Sequence, residues 1–428
     1  MPHIPIERHT LPNGLRVVLS QERLAPIVAV NLWYGVGSRH ELPGKTGFAH
    51  LFEHMMFEGT ASVGKGEHFA LVQSVGGTLN ASTWLDRTNY FETLPSHELE
   101  LGLWLEADRL ANLLPGVSQE NLDNQREVVK NERRWSVDNR PYGTWDEKLQ
   151  ALLYPPEHPY HHSTIGSMED LSAASVEDVS YFFATHYAPN NAVLTVAGDF
   201  DPAQALEMIN RRFGPIPRNP SIPPEPDVTV APIIGHEVRQ SVPDKVPLPR
   251  IYHAYRMPPF GTPDFDAMEV AADLLGAGRA SRLYASLVRE QRLAQDVTVF
   301  AFPFVGGASI FAMWATASPG VPIETLEAAL LTEVDRLAVS GPSDADLERV
   351  RNLHAAGVES SLERIGERAD RLSMYTCLFD DPARINTEVS RYLGVDADRV
   401  RRVMAEVVRP DNRVALTYLP ADSGEASA

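Results

Sequence analysis

The chain has 428 residues, a formal net charge of −19 at pH 7 and a single cysteine, Cys377. The charge argues against nucleic acid as the main partner, and one cysteine rules out an internal disulfide. No stretch approaches about 18 consecutive apolar residues, so no membrane span is predicted. The first five residues lack a basic stretch followed by an apolar one, so no secretory signal is visible. We therefore expect a cytoplasmic protein, or a periplasmic one if the sequence is a trimmed form.

The N-terminal elements are predicted to be two strands, a third strand and a helix. Residues 7–20 have the pattern of two strands around an Asn13-Gly14 turn, and residues 27–34 form an apolar run. A helix is predicted over about 47–57, with Thr46 as its N-cap and Gly59 as its stop.

This helix carries the motif His50-Leu51-Phe52-Glu53-His54. His50, Glu53 and His54 share one arc of the helical wheel, and the rest of the circumference is apolar, which is typical of a buried helix. Buried imidazoles and a carboxylate need a common partner. Zinc suits them, because histidines at i and i+4 project the same way. The alternative is two satisfied core histidines without a metal.

A third zinc ligand is sought further along the chain. Residues 76–93 predict paired strands, and helices are predicted over 96–112 and 119–137. In the last helix we expect an apolar face of Leu122, Val128, Val129 and Trp135. Glu132 falls in the middle of that face, so it is the candidate third ligand. The alternative for Glu132 is a buried salt bridge with an arginine.

The second half of the chain repeats the pattern of the first. After a helix over 175–187, a strand over 191–197 and a helix over 201–213, six prolines between 215 and 226 indicate a linker. An offset of about 221 residues then superimposes matching positions. They are Val179 on Val400, Pro189 on Pro410, Asn191 on Asn412, and the motif residues His50, Glu53 and His54 on Ala271, Leu274 and Leu275.

We therefore predict an α+β fold with two homologous domains, each a largely antiparallel sheet covered by helices. The predicted boundaries are 1–214 for the domain with the zinc site, 215–245 for the Pro-rich linker, and 246–424 for the domain without a metal site.

The motif residues resemble those of the pitrilysin/insulinase-type inverted zinc peptidases, in particular the short-chain branch related to mitochondrial processing peptidase. The resemblance spans nearly the whole chain and rests on three segments. They are Gly47-Phe48-Ala49-His50-Leu51-Phe52-Glu53-His54-Met55-Met56-Phe57-Glu58-Gly59-Thr60, Gly76-Gly77-Thr78-Leu79-Asn80-Ala81 and Arg126-Glu127-Val128-Val129-Lys130-Asn131-Glu132.

The resemblance implies a zinc-dependent endopeptidase. His50, His54 and Glu132 would hold Zn²⁺, Glu53 would be the general base that activates water, and the strand near Asn80 and Ala81 would pair with an extended peptide. Two such chains would close like a clamshell around a chamber in which peptides or unfolded segments are cleaved.

Two positions depart from the family pattern. Members often carry a glutamate seven residues before the third ligand, where this chain has Gln125. Members also use an Arg and a Tyr seven residues later in the second domain, but here Arg289 is followed by Gln295, one residue short. The partner is therefore expected to be a second copy in a homodimer, or a homologous chain that supplies the Arg/Tyr pair in a heterodimer.

Other functions are less consistent with the sequence. A catalytically inactive core or scaffold subunit of the same family is the main alternative, but the ligand set is complete. Gly44-Lys45-Thr46 could suggest a nucleotide-binding loop, but Arg39 occupies the position of the required first glycine. The run of His158, His161 and His162 is more typical of a surface loop than of a second metal site.

Overall fold

The structure is a computed structural model that describes residues 3–421. No helix in this range combines the length and the apolar character that a membrane span requires. The strands are β1 (Glu7–Thr10), β2 (Arg16–Gln21), β3 (Ile27–Tyr34), β4 (Thr78–Thr83), β5 (Thr88–Pro95), β6 (Ala192–Gly198), β7 (Val238–Asp244), β8 (Arg250–Met257), β9 (Ala294–Phe302), β10 (Ser309–Ala317) and β11 (Arg413–Pro420).

The helices lie between groups of strands, in runs of up to five. They are α1 (Phe48–Met55), α2 (Glu67–Ser74), α3 (Leu99–Asn112), α4 (Gln119–Arg133), α5 (Trp145–Leu153), α6 (Met168–Ala173), α7 (Val176–His186), α8 (Pro202–Phe213), α9 (Pro263–Gly276), α10 (Ile323–Ser340), α11 (Asp344–Leu362), α12 (Ile365–Phe379), α13 (Glu388–Leu393) and α14 (Ala397–Val407). Two short segments, Arg134–Asp138 and Tyr284–Glu290, are π-helical.

The described chain divides into two compact units. The first contains residues 3–133, 162–226 and 357–388, and the second contains 134–161, 227–356 and 389–421. Each unit therefore includes a segment from the other half of the sequence.

The first unit is built on a six-stranded sheet in the order β1-β2-β6-β3-β5-β4, with β2 and β6 as its parallel pair. Alternate residues of β3 point to opposite faces. Val28, Val30 and Leu32 belong to a large apolar cluster that includes residues of α1, α3 and α4. The motif helix therefore lies over one face of this sheet.

The opposite face of the first sheet is covered by α12, which packs on β3 and β6. Asp370 of α12 fixes this contact. Its Oδ1 atom accepts hydrogen bonds from Trp33 Nε1 at 2.8 Å, from Asn89 Nδ2 at 2.9 Å and from Asn31 Nδ2 at 3.3 Å. Polar side chains on the sheet thus bind a helix that lies almost 340 residues later in the chain.

The second unit repeats the topology with a five-stranded sheet in the order β7-β11-β8-β10-β9, in which β7 and β11 are parallel. The duplication extends to hydrogen bonds. Asn191 Nδ2 donates to the carbonyls of Gly35 and His186, and Asn412 Nδ2 donates to those of Arg256 and Val407. Asn412, Arg256 and Val407 each stand 221 positions after their counterparts in the first unit. The same asparagine hydrogen bonds therefore follow the same helix in both units.

The fold is thus α+β, with mostly antiparallel sheets covered by helices, as the sequence predicts. The compact units follow spatial contacts and do not coincide with the predicted boundaries 1–214 and 246–424, which stay a prediction about homologous halves. Within the predicted linker 215–245, residues 238–244 are not linker but the strand β7. Its polar, half-exposed sequence gives no strand signal because it lies at the edge of its sheet. Residues 422–424 of the predicted second domain lie outside the described residues.

Candidate metal centre

The motif helix α1 is held by its apolar residues. Phe48, Ala49, Leu51, Phe52 and Met55 are all buried, as the wheel predicts. The helix ends soon after Met55, and Gly59 has φ of 109°, a left-handed conformation that favours glycine.

The N-terminus of α1 differs from the prediction that Thr46 is the N-cap. The cap position is Gly47, with φ of 87° and no side chain to bond the first turn. Instead, the fully buried carboxylate of Glu41 accepts the Gly47 N–H at 2.9 Å and the Ala49 N–H at 2.7 Å. Thr46 donates its hydroxyl to Asp170 Oδ2 at 2.5 Å. The helix is therefore capped by a carboxylate from outside its own sequence.

His162 is the partner of that carboxylate. Its Nε2 atom lies 2.9 Å from Glu41 Oε2 and 3.0 Å from the Ser38 carbonyl. Burial lowers the pKa of His162, but the hydrogen bond and the charge of Glu41 outweigh it, so the pKa is raised. The predicted surface role of this histidine is wrong: it is part of the anchor of the motif helix.

Helix α4 presents a different face from the one predicted. Val128 and Trp135 are 41% and 70% exposed, whereas Leu122 and Val129 are fully buried. Leu122 and Val129 lie one heptad apart, and Gln125 and Glu132 follow each of them by three residues. These four residues form one stripe, and α4 packs on α1. Glu132 thus reaches the motif because of its phase on α4, and not because it is central to the predicted apolar face.

The structure brings His50, His54 and Glu132 together. One donor atom from each lies within 4.8 Å of the others. Glu132 Oε2 is 3.7 Å from His50 Nε2 and 3.5 Å from His54 Nε2. Ligands about 2.0–2.2 Å from a tetrahedral zinc ion stand about 3.3–3.6 Å apart. The donor set and its spacing therefore fit zinc.

Electrostatics at the three residues also suit a cation. Burial, followed by the charge of His54, lowers the pKa of His50 to about 4, so its imidazole is neutral at pH 7. A hydrogen bond from His54 lowers the pKa of Glu132. Burial opposes a charged His54, but the carboxylates of Glu132 and Glu53 raise its pKa. The carboxylates of Glu132 and Glu53 thus attract positive charge to this site, and a divalent cation would supply it.

Glu53 is placed beside these residues but is bound differently. Thr83 Oγ1 donates to Glu53 Oε2 at 2.5 Å, which ties the carboxylate to β4. Burial raises the pKa of Glu53, while the Thr83 hydrogen bond and the charges of His54 and Arg87 oppose that rise. A carboxylate with a raised pKa is suited to accept and return a proton near neutral pH.

The predicted substrate strand is the edge strand β4. Its pairing with β5 places Ala81 opposite Tyr90 and Asn80 opposite Phe91. Ala81 therefore lies on the same face as Thr83 and Glu53, whereas the exposed Asn80 projects to the other face. Asn80 Oδ1 accepts the N–H of Ala81 at 2.9 Å. The structure thus places one of these two residues on the motif side of the sheet.

The second unit shows no counterpart of the metal centre among its described residues. Ala271, Leu274 and Leu275 are fully buried in its apolar core. Arg289, whose side chain is 62% exposed, lies 3.3 Å from Glu290, and Gln295 is exposed on β9. The chain thus has an exposed arginine and an exposed glutamine at the two positions that the sequence analysis compares with the family's Arg/Tyr pair.

Sequence reasoning identified Gln125 only as the place of a family glutamate, and it missed the parts that Glu58 and Glu41 play in supporting the centre. Gln125 Oε1 lies 3.3 Å from His54 Nδ1, and Gln125 Nε2 donates to Glu58 Oε1 at 2.6 Å. Gln125 and Glu132, seven residues apart on one helix, both lie beside His54, so the departure from the family glutamate leaves a contact to this histidine in place. No sequence signal marks Glu41, because its contact depends on the loop before α1.

Comparison with known proteins identifies the family. Residues 16–154 match the family described as Insulinase (Peptidase family M16), and residues 173–353 match Peptidase M16 inactive domain. The zinc protease PqqE of Helicobacter pylori is 30% identical over 371 residues, which cover 86% of this chain and 83% of that protein. The chain belongs to the M16 peptidase family.

Two further relatives agree with this assignment. A probable mitochondrial-processing peptidase subunit beta of Arabidopsis thaliana is 26% identical over 96% of this chain and 77% of its own length. The crystal structure of a protease from Helicobacter pylori has a TM-score of 0.91 and 28% identity, and the match covers 97% of this chain and all of that one.

Proposed function

We propose that the protein is a zinc-dependent endopeptidase that cleaves extended peptides or unfolded segments. The observation that carries this proposal is the convergence of His50, His54 and Glu132, with Glu53 beside them but held by Thr83. Three ligands leave a fourth position for substrate or water, which is typical of catalytic zinc and not of structural zinc.

His50, His54 and Glu132 would hold the metal. When bound, zinc supplies Lewis acidity that activates water and polarises the scissile carbonyl. Glu53 takes a proton from the attacking water and returns it to the leaving amine. Its raised pKa and its Thr83 hydrogen bond fit this role, because the carboxylate is held on the motif face of β4.

The substrate would add to the free edge of β4 as another strand. Main-chain hydrogen bonds from an edge strand give affinity with little demand on sequence. The side chain of Ala81 is small and faces the motif, so it leaves room for the scissile segment. Asn80 lies on the same edge strand and would contact the peptide beside Ala81.

The partner would be a second homologous chain. Gln295 stands near the position of the family tyrosine, so a heterodimer in which another chain supplies the Arg/Tyr pair is proposed beside a homodimer. Size-exclusion chromatography combined with a peptidase assay, on the chain alone and with any homologous chain from the same source, distinguishes the two. Full activity of an isolated monomer would contradict both.

The variant Glu53→Gln tests the catalytic role. It should retain zinc, measured by elemental analysis, and lose about 10²–10⁴-fold in cleavage of a fluorogenic peptide. Glu127→Gln is the matched control, since the Glu127 carboxylate is 58% exposed on α4. His50→Ala should lose both zinc and activity. Normal turnover by Glu53→Gln would remove the general-base assignment, and full zinc occupancy in His50→Ala would remove the ligand assignment.

A further inference from the structure

A buried glutamate lies behind the metal centre without touching the proposed ligands. Glu58, 7% exposed, is linked to His54 through the side chain of Gln125. Lys65 Nζ lies 2.5 Å from Glu58 Oε2, which compensates its charge. The path Lys65, Glu58, Gln125, His54 thus runs from the surface to a proposed ligand.

The hydrogen-bond roles along this path are fixed by chemistry. An ionised carboxylate can only accept, so Gln125 must turn its NH₂ group to Glu58. Its Nε2 atom is also 3.3 Å from Asn124 Oδ1, another acceptor. The carbonyl of Gln125 therefore faces His54, whose Nδ1 must carry the proton. In the neutral ring that zinc binding requires, the lone pair is then on Nε2, the atom that faces Glu132; without a metal, a protonated Nε2 donates to Glu132.

We propose that Glu58 is a positioning residue that sets the metal-binding tautomer of His54 through the orientation of the Gln125 amide. This inference rests on the proposed zinc site and deepens it. Without Glu58 the amide can rotate, and its NH₂ group can then face His54. The ring would respond by keeping its proton on Nε2, the nitrogen that has to bind zinc.

This relay from Glu58 through Gln125 to His54 predicts that the effects of substitutions at positions 58 and 125 on zinc affinity are not additive. Gln125→Glu alone places a second carboxylate against Glu58, where the present donor–acceptor distance is 2.6 Å. Adding Glu58→Gln restores one carboxylate and one amide in exchanged positions. The carboxylate at position 125 would then accept from both His54 Nδ1 and the amide at position 58, so the ligand tautomer is the same as in the natural chain.

The test measures zinc affinity by competition with a chelator, using zinc alone as the probe. Glu58→Leu and Gln125→Glu should each bind zinc about 10–100-fold more weakly, in the range seen for groups that hydrogen-bond to ligands. The double exchange should return to within about threefold of the natural protein. Lys65→Met is the control that keeps the carboxylate, and its zinc affinity should change less than that of Glu58→Leu.

A second readout reports the tautomer directly. Nitrogen-15 NMR of labelled histidine should show zinc on Nε2 and a proton on Nδ1 of His54 in the natural protein and in the double exchange. If Glu58→Leu binds zinc as tightly as the natural chain, or if the exchange fails to rescue Gln125→Glu, the relay is refuted while the peptidase proposal stands. If the natural chain itself binds no zinc, the proposed function fails instead.

Discussion

The dependence of the motif helix on Glu41 gives a prediction of definite size. Glu41→Ala removes the acceptor of the Gly47 and Ala49 amides, both of which are buried. A hydrogen bond to a charged group contributes about 1.5–3 kcal/mol, so the loss of two should lower the free energy of local opening by about 3–6 kcal/mol. Even the lower value corresponds to roughly 100-fold faster hydrogen exchange.

The assay is native-state hydrogen exchange, followed by mass spectrometry of peptides that cover α1. Glu41→Gln keeps one acceptor oxygen and should give a smaller acceleration than Glu41→Ala. Glu120→Ala is the control, because Glu120 is an exposed residue in the first turn of α4. An acceleration below about threefold in Glu41→Ala would refute the reasoning, since it would mean that water replaces the carboxylate without cost.

Two other predictions concern pH and the cover of the sheet. The pKa of His162 is raised by Glu41, so the attraction is fully present below the ordinary histidine pKa of about 6.5 and is lost as the pH rises through the raised value. The urea concentration at the unfolding midpoint should therefore decrease as the pH rises through the raised pKa of His162. In His162→Gln this decrease should be smaller, and a decrease as steep as that of the natural chain would contradict the ion pair. Asp370→Ala leaves the Trp33 and Asn89 donors without their acceptor and should destabilise the first unit by about 2–4 kcal/mol. Asp370→Asn should cost less, and urea unfolding followed by far-UV circular dichroism measures both; a midpoint of Asp370→Ala equal to that of the natural chain would count against the bond.

Local patterns in the sequence predict much of the fold. The Asn13-Gly14 hairpin, the buried motif helix and the strand pair formed by β4 and β5 all depend on neighbours within about 20 residues. The duplication is also visible, because Asn191 and Asn412 lock equivalent turns and leave the same spacing in both halves. Periodicity therefore identifies the elements and the repeat.

The sequence patterns do not predict the contacts between distant segments. The cap of α1 comes from Glu41 and not from Thr46, because a loop folds back onto the helix end. The sequence pattern places Val128 and Trp135 on the buried face of α4, although the packing partner of α4 selects Leu122 and Val129. Glu132 is nevertheless the right neighbour for the histidines, since it occupies the same stripe as Val129.

The late arrival of α12 has a consequence for biosynthesis. The strands of the first sheet are complete once Gly198 has been made, but Asp370 and the rest of α12 emerge about 170 residues later. At about 5–20 residues per second, the ribosome needs roughly 10–30 s to close that interval. During this time Asn31, Trp33 and Asn89 have no helix over them, so a nascent N-terminal half presents an uncovered sheet. Expression of that half alone should therefore leave Trp33 and the small apolar residues Ala29 and Ala197 of this face exposed to solvent, however well its own strands pair.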